Sequence, residues 1–270
     1  MTTEMTVAIG GLGVIGEAVA KRLAEGMPGL RLVAVSARRR ERADARLSEM
    51  GVSAPVLPLE ELGAVADVVV ECAPASVFMD VAAPALANGR IFIPLSCGML
   101  LQHEDLADRA AQSGGRIIVP TGALLGLDAV RAASEGVIHS VTMVTRKPPA
   151  GLAGAPHLLD NGINIENLTA PLKVFEGTAR DAAAGFPANV NVAAALSLAG
   201  IGADTTLIEI WADPTVTRNT HTIKVDSDAT RFEMTIEGIP SREHPATGML
   251  TPLSVIATLR GLVSPMRVGT

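Results

Sequence analysis

The sequence predicts an α/β protein: a doubly wound parallel sheet in the first half, then a second α+β domain with a mostly antiparallel sheet. Three observations predict it. A G-x-G-x-x-G run, Gly11-Leu12-Gly13-Val14-Ile15-Gly16, stands between a β-branched stretch and helix-forming residues. Short runs that are apolar throughout then alternate with helical segments as far as Gly122. Beyond Gly122 the runs lengthen and alternate apolar with polar residues, as half-buried antiparallel strands do. Aromatics are only 2% against 48% hydrophobic residues, so the core of these 270 residues rests on Ala, Val, Leu and Ile, which suits a parallel sheet.

The first strand is Thr6 to Ile9. In the glycine run after it, Gly11 permits a tight turn and Gly13 lets backbone approach a pyrophosphate. Gly16 allows close helix–strand packing. The following helix, with Val14, Ile15, Ala18, Val19 and Leu23 apolar, presents free N–H groups to phosphate. This is a Rossmann-type turn, and residues 11–16 are the expected NAD(P) contacts. The second strand, Leu30 to Ser36, leads into Ala37-Arg38-Arg39-Arg40 with no carboxylate. A carboxylate there would hold an unphosphorylated ribose, whereas guanidiniums fork onto phosphate. Arg38 and Arg39 are therefore expected to admit NADP alongside NAD; the alternative is that the run is the solvated start of a helix. Further strands run from Ala66 to Pro74, Arg90 to Ser96 and Arg116 to Gly122, with helices between. Their ends, Cys72, Ala73 and Pro74, then Ser96, Cys97 and Gly98, then Thr121 to Ala123, should line the cofactor crevice.

In the second half, Val137 to Pro149, Leu207 to Val216, Arg218 to Ser227 and Thr230 to Pro240 read as antiparallel strands. Between the first two lies an Ala-rich helix headed by Asn189 and Asn191. Those carboxamides either cap the helix or face a ligand. The tail regains helical periodicity, giving domains of 1–122 completed by 248–270, and 123–247 for substrate and dimerisation.

A net charge of -6 and the lack of a basic amphipathic run argue against nucleic-acid and membrane partners. The two cysteines, Cys72 and Cys97, have no metal spacing and fit a reducing compartment. With no basic leader and no apolar run of spanning length, a cytoplasmic protein without a metal is expected.

Four second-half motifs, "TGALLGLDAV", "VTRKPP", "FPANVNVAAALSLAG" and "NTHTIKV", occur in this order. With the glycine run they resemble the L-aspartate dehydrogenase family over nearly the whole chain. The resemblance implies NAD(P)-dependent interconversion of L-aspartate with iminoaspartate, which hydrolyses to oxaloacetate and ammonia. It further implies a homodimer joined through the second domain and a place in NAD biosynthesis. It gives Ala123 a cofactor contact near the nicotinamide, Asn189 a cofactor contact through its amide, and His221 the catalytic role. Asn191 is then left as the capping partner.

A histidine titrating near neutrality suits the proton transfer that accompanies hydride loss from Cα. A dicarboxylate needs a cation, and Lys147 is the first choice, with Arg146 on the other strand face. Ser96, Thr121 and the 244–247 loop are weaker candidates, and a surface Arg–Lys pair is the bland alternative. One segment departs from the family: where relatives read like Pro-Glu-Asn-Pro-Lys-Thr-Ser, only Glu243, Pro245 and Thr247 survive in register, a basic residue being lost at Ala246 and His244 gained. Three rivals follow: a semialdehyde dehydrogenase using Cys97 as nucleophile, a dihydrodipicolinate-reductase-like imine or keto-acid reductase, and a nucleotide-binding regulator without turnover.

Overall fold

The computed structural model describes residues 4–187, 190–241 and 248–269. The chain forms two compact units, residues 1–122 with 251–267, and residues 123–250 with 268–270.

In the first unit, β1 (Met5–Gly10), β2 (Leu30–Ser36), β3 (Val68–Glu71), β4 (Ile91–Pro94) and β5 (Arg116–Ile117) form a parallel sheet in the order β2-β1-β3-β4-β5. Between them run α1 (Val14–Ala24), α2 (Arg40–Glu49), α3 (Leu62–Val65), α4 (Phe78–Ala87) and α5 (Leu106–Ser113). Alternation along each strand feeds two cores. Val7, Ile9, Val68 and Val70 pack with Val19 and Leu23 of α1, joined by Val255 and Leu259 of the tail helix Leu250–Val263. Ala8, Val69 and Phe92 pack with Leu62, Phe78 and Leu86 on the opposite face. A sheet covered on both faces needs apolar residues at every strand position, which is why these runs show no polar alternation. Strand β2 has the expected bounds and β1 extends one residue beyond each expected end, whereas β3, β4 and β5 are shorter than their apolar runs. The last shrinks from the expected Arg116 to Gly122 to two residues, because it is the sheet edge and Pro120 offers no N–H to the ladder.

In the second unit come α6 (Leu127–Ser134), β6 (Ile138–Lys147), α7 (Pro156–Asp160), β7 (Leu172–Thr178), α8 (Ala179–Gly185), α9 (Val190–Ala199), β8 (Leu207–Ala212), β9 (Asn219–Ser227) and β10 (Arg231–Gly238). The sheet order is β10-β9-β6-β8-β7. Three of its four pairings are antiparallel, but β6 and β8 run parallel, where the sequence predicts antiparallel strands. The chain between them passes through α7, β7, α8 and α9, a crossover long enough to bring β8 back in the same direction. Strand β7 was not anticipated. Its register shifts between Lys173 and Phe175, so Val174 and Phe175 are both buried and the two-residue period is broken. No helix among the described residues is long and apolar enough to cross a membrane.

Candidate functional site

The first unit carries a site for a dinucleotide. Chain order reverses between β1 and β3, and ligands of such sheets lie at that switch point, at the carboxyl ends of the strands. Gly11 follows β1 with φ +109, and a Cβ there would stand 2.5 Å from the carbonyl oxygen of Cys72 at the end of β3. A Cβ on Gly16 would stand 2.0 Å from the carbonyl oxygen of Gly11. These two glycines lock the turn. Gly13 differs: no heavy atom lies within 4 Å of where its Cβ would be. It is also the N-cap of α1, which has no side-chain capping bond. An open approach over uncapped N–H groups at the positive end of a helix fits a pyrophosphate. Leu12, Val14 and Ile15 are placed around this turn by the same geometry, Leu12 and Ile15 also packing on the core.

Next to it, Ser36 ends β2 and is buried, while Arg38 and Arg39 are exposed and precede α2, which starts at Arg40. Neither Arg38 nor Arg39 is ion-paired to a described residue; Arg40 pairs along its helix with Asp44 at 3.9 Å. The two guanidiniums thus stand at the strand end rather than inside the helix.

Past the switch point, Cys72 and Ala73 are half-buried and Pro74 exposed. Ser96 is half-buried, whereas Cys97 and Gly98 are buried in a short helix, Cys97–Leu101. The Cys97 thiol points to the Pro94 carbonyl at 3.5 Å, and burial pushes it up to about 12. Such a thiol is no nucleophile at neutral pH, which removes the support for a Cys97-dependent semialdehyde dehydrogenase. Thr121 and Ala123 are half-buried in the turn after β5, where the Gly122 N–H donates to Ser254 Oγ at 3.1 Å.

The second unit carries the titratable cluster. On β6, Val141, Met143, Thr145 and Lys147 are buried at alternate positions. On β9, His221, Ile223 and Val225 do likewise, with His221 directly opposite Thr145. Thr145 Oγ1 and His221 Nδ1 share a hydrogen bond of 3.0 Å. His221 is 4% exposed, Thr145 4% and Lys147 8%. Burial, aided by repulsion from Lys147, lowers the His221 pKa to about 4. Burial lowers the Lys147 ammonium to about 8. The expectation of a histidine titrating near neutrality is corrected: the imidazole is neutral at physiological pH, because water is excluded from it and a cation stands nearby. Arg146 points to the other face, as strand alternation requires, donating to Asp213 at 3.0 Å and lying 4.8 Å from the Trp211 ring centroid.

Asn189 and the 244–247 loop lie outside the described residues. Among the described residues α9 runs Val190–Ala199, so Asn191 lies inside the helix, exposed, rather than at a capping position. Two buried groups escaped the sequence reading. Thr145 was legible only as the residue two before Lys147, on the same strand face. Glu71 was hidden as the polar end of an otherwise all-Val strand.

Comparison with known proteins agrees with both units. The description "Aspartate dehydrogenase, C-terminal" matches residues 128–262, and "Homoserine dehydrogenase, NAD binding domain" matches residues 11–120. An L-aspartate dehydrogenase of Bradyrhizobium diazoefficiens is 55% identical, over 100% of this chain and 95% of its own. L-aspartate dehydrogenase 3 of Bordetella bronchiseptica is 54% identical, over 99% of this chain and 98% of its own. The crystal structure of an aspartate dehydrogenase from Thermotoga maritima superposes with a TM-score of 0.76 at 26% identity, covering 98% of this chain and 100% of that one. With a dinucleotide turn in one unit, a buried His–Thr–Lys group in the other and relatives matched end to end, the chain belongs to the L-aspartate dehydrogenase family.

Proposed function

We propose that this protein is an NAD(P)-dependent L-aspartate dehydrogenase, interconverting L-aspartate and iminoaspartate, the latter in exchange with oxaloacetate and ammonia. The observation that carries this reading is the buried Thr145–His221–Lys147 group in a chain whose first unit is built for a dinucleotide. The dinucleotide, held by residues 11–16 and the turns at Cys72–Pro74 and Ser96, supplies the hydride acceptor when bound. The protein's own residues do the rest. Thr145 engages Nδ1 of His221 and so leaves Nε2 for proton exchange with the substrate nitrogen or with water. A neutral imidazole is the form able to accept that proton. Lys147, beside it, holds a substrate carboxylate, with Thr121 as a second donor. Ala123 and Asn189 complete the cofactor contacts on the strength of the family motifs.

Arg38 and Arg39 would receive a 2′-phosphate, so NADP and NAD are both used. We further place the protein in the cytoplasm, in keeping with its two free cysteines, as a homodimer serving NAD biosynthesis. The half-buried sheet face bearing Thr142, Arg146 and Trp211 is the surface offered for pairing.

The test is His221→Ala. Turnover should fall by about 10²–10⁴-fold with cofactor affinity within about twofold of the parent. Unchanged turnover would remove His221 from the mechanism.

A further inference from the structure

Strand β3 lies at the centre of the parallel sheet and reads Val-Val-Val-Glu. Its last residue, Glu71, is 0% exposed. A carboxylate so deep is costly unless donors surround it. They do. Glu71 Oε2 accepts from the Ser96 N–H at 3.0 Å and the Leu95 N–H at 3.2 Å, and Oε1 accepts from Ser96 Oγ at 3.1 Å. Burial nevertheless raises the Glu71 pKa above its ordinary value, and these donors oppose that rise. Ser96 Oγ also lies 3.4 Å from the Ala73 carbonyl. A group that only accepts is suited to a ring of donors, and bonds to its ionised form are the stronger kind.

These donors all come from the turn after β4, while Glu71 itself ends β3 and Ser96 Oγ reaches the Ala73 carbonyl in the turn after β3. This one contact set therefore ties together the backbone at two adjacent strand ends. The tie sits beside the switch point: Cys72, next in sequence to Glu71, presents the carbonyl that a Cβ on Gly11 would strike. Sheet order gives the tie its meaning. With pyrophosphate at the turn after β1 and the adenine ribose at the end of β2, the other half of the dinucleotide must extend over β3 and β4.

We infer that Glu71 is a positioning residue that fixes the turns at Ala73 and Leu95–Ser96 in the shape that receives the nicotinamide half of the cofactor. This rests on the dinucleotide reading above. It explains a buried charge that neither core packing nor the Thr145–His221–Lys147 group requires. The two cysteines beside it, Cys72 and Cys97, are themselves held protonated by burial and by this carboxylate, so they act as packing and not as chemistry.

The experiment compares binding of NADPH and NADH with binding of the matching ADP-ribose fragments, which lack the nicotinamide ring, to the full chain and to Glu71→Gln. The variant keeps the shape but replaces one acceptor oxygen by a donor. Dinucleotide affinity should fall about tenfold, the scale of one lost charged hydrogen bond, while fragment affinity stays within about twofold. A parallel fall for dinucleotide and fragment would mean a general loss of structure and would overturn the assignment. Unchanged dinucleotide binding would also overturn it. Should Glu71→Gln not fold, Ser96→Ala, at a half-buried site, carries the test: a loss of about threefold confined to the dinucleotide supports the role, and none refutes it. A parent chain that binds neither dinucleotide would sink the proposed function and this inference together. Normal binding by the parent with no split in the variants sinks the inference alone.

Discussion

His221 and Lys147 share one buried neighbourhood: burial lowers both pKa values, and repulsion from the Lys147 ammonium lowers that of His221 further. For His221 the pKa of about 4 lies below the ordinary 6.5. Between those values an unfolded chain takes up a proton that the folded one refuses. Stability is therefore fully present above pH 6.5 and is lost as the pH falls towards 4, by about 3 kcal/mol for this residue. Urea unfolding at pH 7.5 and 4.5 should show that loss in the parent and a smaller one in His221→Gln; equal losses would contradict the buried neutral imidazole. For Lys147 the consequence concerns binding. Above a pKa of about 8 its ammonium discharges, so affinity for a dicarboxylate should fall about tenfold per pH unit. The Ki of succinate, which has no amine of its own to titrate, should rise above pH 8 in the parent and stay flat in Lys147→Met. A parent profile flat to pH 10 would take Lys147 out of carboxylate binding. The sequence showed that these residue types stand in strands, yet neutrality of the histidine was not legible. It depends on burial and on Lys147 being brought near from another strand, and both are tertiary facts.

The glycine turn divides into two jobs that substitution can separate. Gly16→Ala would drive a methyl to 2.0 Å from the Gly11 carbonyl oxygen, so the turn or α1 must shift. Gly13→Ala meets nothing within 4 Å and φ there is -98, so the fold tolerates it. The expected outcome is a clear drop in melting temperature for Gly16→Ala. For Gly13→Ala the melting temperature should be near-parental while NAD(P)H affinity is reduced at least about tenfold. Parental cofactor affinity in Gly13→Ala would mean that phosphate does not approach there. At the end of β2, Arg38→Ala with Arg39→Ala should weaken NADPH more than NADH, and equal weakening would deny the 2′-phosphate contact. This turn was fully legible because its signal is local: strand, three glycines at fixed spacing, helix. The second sheet was less so. Strand β7 lost its period to a bulge at Lys173–Phe175, and the direction of β8 depended on the crossover through α7 to α9. Glu71 at the end of Val-Val-Val-Glu looks from sequence like a strand reaching water; only the donors of Leu95 and Ser96 reveal otherwise.

At the scale of the whole chain, the division of labour follows from two kinds of sheet. A parallel sheet buried on both faces by Ala, Val, Leu and Ile leaves its carboxyl ends as the place for a ligand, and the dinucleotide turn stands there. A mixed sheet with one buried face can hold a few polar side chains out of water, and Thr145, Lys147 and His221 stand there. Its half-buried face, with Arg146 near the ring of Trp211, is what a homodimer would cover. Sedimentation should then give twice the chain mass of 27.8 kDa, and the single-chain mass would contradict the pairing. The aspartate dehydrogenase activity is tested by reductive amination of oxaloacetate with ammonia, followed by NADPH and NADH oxidation in parallel. Rapid turnover with L-aspartate as product, and with NADPH accepted, is the expected result. Intact cofactor binding with no turnover of oxaloacetate would contradict it, and would shift attention to other keto acids and imines and to the loss of a basic residue at Ala246.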